Sequence, residues 1–91
     1  MQKLYKFHLV CGKLGYIDGL FIADDDEVGL LSGKTIYFGE VSGRWLETYE
    51  IIDESNLTII TDDCHEIKRL KALFGTNTLC GCNPLMYNAV D

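Results

Sequence analysis

The chain has 91 residues, 47% hydrophobic and 11% aromatic, which is globular composition and excludes a disordered or low-complexity protein. Its net charge is −6, unevenly spread: residues 24–66 hold twelve acids against two bases, a net −10, while each flank carries +2. So acidic a middle repels phosphate and disfavours direct nucleic-acid binding, and no apolar run approaches the ~20 residues that cross a bilayer.

This length corresponds to one domain, 1–91. Met1 to Phe7 alternates polar and apolar residues and lacks the continuous apolar core of a signal peptide. A cytoplasmic home is expected, with Cys11, Cys64, Cys80 and Cys82 as thiols. So small a fold leaves apolar surface uncovered, which favours self-association.

Leu4 to Val10 and Tyr16 to Ala23 read as two strands around the glycine-bearing turn at Gly12 to Gly15. Asp24 to Ser32 reads as a short helix capped by Asp24, with Val28 and Leu31 on one face and Gly33 after its end. Lys34 to Val41 and Arg44 to Asp53 read as a hairpin around Ser42-Gly43. That turn sets Ile36 opposite Tyr49, Tyr37 opposite Thr48, Phe38 opposite Glu47 and Gly39 opposite Leu46, with Glu40 beside Trp45. Asp53 to Asn56 is a loop. Leu57 to Thr61 is a β-branched run of the kind found in central strands.

A second helix follows, capped by Asp62 or Asp63, with Glu66 as the capping-box partner of Asp63. Cys64, Ile67, Leu70, Leu73 and Phe74 form its apolar stripe, and Gly75 ends it. Cys64 is therefore expected to be buried, and Ile67, Leu70 and Phe74 with it. Thr76 to Cys82 reads as an edge strand and Asn83-Pro84 as a turn; the tail carries no pattern. The order ββαβββαβ, rich in short hairpins, implies an α+β fold with a mostly antiparallel sheet and two short helices over one face or end.

No motif carries catalysis. Cys80-Gly81-Cys82 is tighter than zinc-ligand spacing and has no second pair, so no metal and no cofactor are expected. Cys64 and His65 are helix neighbours whose side chains diverge by about 100° and cannot pair. Glu40 and Glu47 beside Trp45 are the best enzymatic feature, a carboxylate pair next to an aromatic; acidic surfaces supply such pairs by chance. The expectation is a protein without enzymatic activity.

Two binding readings remain. The leading one docks an acidic surface on a basic protein partner through Asp24, Asp25, Asp26, Glu27, Glu50, Asp53, Glu54, Asp62 and Asp63, with Trp45 as aromatic anchor. The alternative captures a small nucleotide with Lys13, Lys34 or Arg44, its base stacked on Tyr37 or Trp45. The bland reading of the acids is helix capping and solubility.

The stretch Gly33-Lys34-Thr35-Ile36-Tyr37-Phe38-Gly39-Glu40-Val41-Ser42-Gly43 resembles a segment of small bacteriophage and mobile-element proteins. The resemblance implies an accessory role such as inhibiting a host defence protein, and it carries no functional residue with it.

Overall fold

Alternation along the first strand builds the core on two sides. The computed structural model describes residues 1–11, 15–40 and 47–89. In β1 (Gln2–Val10) and just beyond it, Tyr5, Phe7, Leu9 and Cys11 are buried on one face, and Leu4 on the other. β2 (Tyr16–Asp24) pairs with it antiparallel along its whole length. Then come α1 (Asp25–Gly29), β3 (Thr35–Glu40), β4 (Glu47–Ile51), β5 (Leu57–Thr61), α2 (Cys64–Phe74), β6 (Thr78–Gly81) and β7 (Asn88–Ala89). The fold is α+β, every strand pairing among the described residues is antiparallel, and a short strand from the unpatterned tail extends the expected order.

The strands form two sheets rather than one, ordered β5-β1-β2-β6 and β4-β3-β7. They pack face to face around Tyr5, Phe7, Phe21, Ile36, Phe38 and Ile52, with Val28 and Leu31 closing one end. Phe7 from the larger sheet stacks on Phe38 from the smaller, ring centroids 6.2 Å apart. Burying a side chain of this size contributes about 1.5–3 kcal/mol. On the opposite face of the larger sheet, Leu4 and Ile22 meet Ile67 of α2.

The link between the sheets depends on two glycines. Gly19 is buried in β2, and a Cβ there would overlap the Cys82 carbonyl and lie 2.6 Å from the Cys82 nitrogen. Gly81 has φ +66°, and a Cβ on it would lie 2.8 Å from the Gly19 Cα. The chain leaving β6 therefore crosses β2 in direct backbone contact, held by the Cys82 N–H donating to the Asp18 carbonyl at 2.9 Å. Asn83, buried at the crossing, accepts from the Leu85 N–H and donates to Thr78 Oγ1, both at 3.0 Å. A single 3-10 turn, Pro84–Met86, then leads into β7.

Several expectations are corrected. β5 is an edge strand, not a central one: its β-branched residues Ile59 and Ile60 are about half exposed. The β3–β4 register is displaced: Ile36 opposes Glu50, Tyr37 opposes Tyr49, and Glu40 opposes Glu47, with a bulge between Tyr37 and Gly39. The pairing is displaced by one position at Ile36 and Tyr37 and by two on the other side of the bulge, and the expected Ser42-Gly43 turn lies outside the described residues. α1 ends at Gly29, because the chain turns to bury Leu31 beside Val28. In α2, Ile67 is buried and Leu70 half-buried, while Cys64, Leu73 and Phe74 are exposed. The helix meets Leu4 and Ile22 near its middle, so its ends overhang. Asp63 caps it by accepting the His65 N–H, but its own N–H donates to Thr61 Oγ1, which takes the role expected of Glu66.

Candidate functional site: an acid-flanked sheet edge

Most of the acids fall into two groups by what their carboxylates touch. Asp24 caps α1, accepting the Asp26 N–H at 3.1 Å. The Met1 ammonium lies 3.3 Å from Asp24 and 3.1 Å from Asp25, and Lys3 Nζ lies 3.4 Å from Asp25. A hydrogen bond from the Met1 amine holds the Asp25 carboxyl below its ordinary pKa. Carboxylate oxygens of Asp24, Asp25 and Asp26 lie within 4.8 Å of one another, close enough to share a cation. Two of the three are already engaged by ammonium groups, so the cluster is internally compensated. Asp26 and Glu27 are exposed on the short helix beyond it.

A second group lies along β5. Asp53 accepts the Glu54 N–H and the Ser55 hydroxyl, both at 2.8 Å, and receives Asn56 in a reciprocal cap. Asp63 caps α2 directly after the strand. Glu54 and Asp62 are exposed and, among the described residues, enter no ion pair. Four acids therefore flank a five-residue edge strand, two before it and two after. At about 3.4 Å per residue the strand between the two pairs is roughly 17 Å long. A groove of about 220 Å³ runs beside the strand, formed by Tyr5, Val28, Gly29, Leu57 and Ile59, with Glu54 at its rim.

Glu50 belongs to neither group. It sits half-buried on β4 opposite Ile36, and its charge helps raise the Cys11 thiol pKa, after burial as the main cause. Of the residues expected to meet a partner, the structure thus sets Asp53 and Glu54 before β5 and Asp62 and Asp63 after it, engages Asp24 and Asp25 internally, and sets Glu50 apart. Trp45 lies outside the described residues.

Of the nucleotide set, Lys34 is exposed and Tyr37 half-buried; Lys13 and Arg44 lie outside the described residues. Tyr37 faces Tyr49 across the β3–β4 pair with ring centroids 4.8 Å apart. Tyr49 was hidden from sequence reading, because the expected register set it opposite Ile36. The Cys-x-Cys pair splits across the sheet: exposed Cys80 pairs with Leu20, and Cys82 packs with the inter-sheet core, so the two thiols do not converge.

Among the described residues, no helix is long and apolar enough to cross a membrane. No protein-family model matches this chain, and comparison with curated proteins and with solved structures finds no match.

Proposed function

We propose that this is a non-enzymatic binding protein that docks an acidic surface on a basic surface of a partner protein. The observation that carries this reading is the placement of Asp53, Glu54, Asp62 and Asp63 at the two ends of one edge strand, on whose outer side no strand pairs among the described residues. Opposite potentials steer encounter and select partners more than they add affinity, and exposed Ile59 and Ile60 supply apolar area between the charges. The resemblance of Gly33 to Gly43 favours a host defence protein as the partner and its inhibition, in the cytoplasm, as the outcome.

Glu54→Lys with Asp62→Lys tests it without touching a cap. Parent and double variant are immobilised and challenged with host extract at low and high salt. A protein retained by the parent at low salt and lost on the variant is expected, with salt shrinking the difference. Identical retention on both would leave acidity as a solubility device and end the reading.

A second reading rests on the Tyr37–Tyr49 pair, which offers a stacking surface to a small nucleotide. A rise in melting temperature with micromolar nucleotide, removed by Tyr37→Ala, would favour it. Silence across cyclic and linear nucleotides would remove it.

A further inference from the structure

We infer that the outer edge of β5 accepts an extended segment of a partner as a fifth strand of the larger sheet, and that the segment carries Lys or Arg at both ends of a short apolar core. The inference deepens the binding reading above and rests on it.

An edge strand presents unpaired N–H and C=O groups along its outer side, and proteins usually blunt such edges with lysines, prolines or inward-pointing charge. Leu57-Thr58-Ile59-Ile60-Thr61 contains none of these, and among the described residues no strand pairs with its outer side. A bulge against Leu4 and Tyr5 kinks its far end, while Leu57, Thr58 and Ile59 keep regular pairing with Phe7, Lys6 and Tyr5. A template of three regularly paired residues therefore remains, one third of the length of β1.

The inner face and the two ends of an added strand would find complementary surroundings. Side chains on the inner face would fall over the groove beside Leu57 and Ile59, floored by Tyr5 and Val28. Backbone pairing would supply affinity, and the groove would select the inward side chain. At the ends, Glu54 and Asp62 are available for charge-assisted contacts, since neither serves as a cap or joins an ion pair among the described residues.

The same charges argue against a second copy as the occupant. Because both ends of β5 are acidic, pairing β5 with itself brings acids against acids in either strand direction. A basic-flanked segment removes that repulsion.

The probe is a synthetic peptide with an alternating Val/Thr core matched to the five residues of β5 and two Lys or Arg at each end. Its binding to isotope-labelled protein is followed by NMR titration and amide hydrogen exchange. Three controls accompany it: the same peptide N-methylated at alternate core positions, a peptide with Glu in place of its basic residues, and the Glu54→Lys/Asp62→Lys variant. The expected result is shift changes centred on Leu57–Thr61, slowed exchange of its outward amides, and a loss of about tenfold or more on N-methylation, as several backbone hydrogen bonds go unmade. Equal binding of plain and N-methylated peptides, weakened by the double variant, would overturn strand addition while leaving acidic docking standing. Equal binding of basic and Glu-flanked peptides, or no binding at millimolar peptide, would overturn both. Slowed exchange in peptide-free protein that rises with protein concentration would assign the edge to a second copy and overturn the inference.

Discussion

Gly19 and Cys82 are in backbone contact: the Cα of one lies where any side chain would meet the peptide group of the other. The two-sheet arrangement passes through this point, because the chain leaving β6 reaches β7 only by crossing β2 there. Gly19→Ala and Gly81→Ala should each destabilise by about 1–3 kcal/mol or more, from overpacking at the first and from overpacking plus a left-handed backbone at the second. Gly29→Ala is the control: a Cβ there meets nothing within 4 Å, and the helix should gain about 0.5–1 kcal/mol. Urea melts of the three variants check the order.

The two ends of α2 and its middle should respond differently to truncation. Ile67 is 2% exposed between Leu4 and Ile22, and Ile67→Ala should cost about 2–5 kcal/mol. Leu73 is 71% exposed, and Leu73→Ala should change stability by less than about 0.5 kcal/mol. Equal costs would mean that the helix packs along its whole length.

The thiols should react in an order set by the fold. Cys64 and Cys80 are exposed, whereas Cys11 is buried and Cys82 half-buried beside Tyr87. Burial pushes both inner thiols above the ordinary value and so depletes the reactive thiolate. Brief iodoacetamide treatment of native protein should label Cys64 and Cys80 first, with all four labelled in denaturant. Peptide mass mapping reads the order.

Stability should fall on the alkaline side. Burial raises Tyr5, Cys11 and Cys82, and the neighbouring Cys82 charge raises Tyr87. Each group keeps its proton in the folded state at a pH where the unfolded chain has released it. Their contribution is complete below the unfolded values, 9.0 for Cys and 10.0 for Tyr, and is lost as pH rises through the higher folded ones. Melts from pH 8 to 11 should show the midpoint declining from about pH 9. Cys11→Ser with Cys82→Ser should flatten the lower part of that decline.

What could be read in the sequence was local. Alternation announced β1 and β2, and Asp24 and Asp63 announced their helices because a carboxylate before an apolar-periodic run has one use there. What could not be read was long-range. Strands of both sheets share one period, so nothing along the chain says that β3 and β4 leave the sheet of β1 and β2; the crossing at Gly19 and Gly81 decides it. The composition of β5 suits burial, yet the strand lies at an edge, and strand order is not written in a strand's own residues. The apolar spacing of α2 marked one face correctly, but how far the sheet extends beneath that face is not written in the helix. The acids of the candidate site were visible as clusters. That two of those clusters bracket one strand edge emerged only from topology, and it left Glu50 and the compensated Asp24 and Asp25 aside.

The strand that completes the smaller sheet comes from residues 88–89 and pairs with residues 36–37, about fifty positions earlier. Pairing of that kind must close a long loop before any contact rewards it, so refolding should run on the order of milliseconds to seconds, slower than a helical protein of this size. Until closure Phe38 lacks its Tyr87 neighbour, 5.2 Å away in the folded state, and the inner face of β3 is partly bare. Intermolecular capture competes with this step, so recovery from denaturant should improve on dilution.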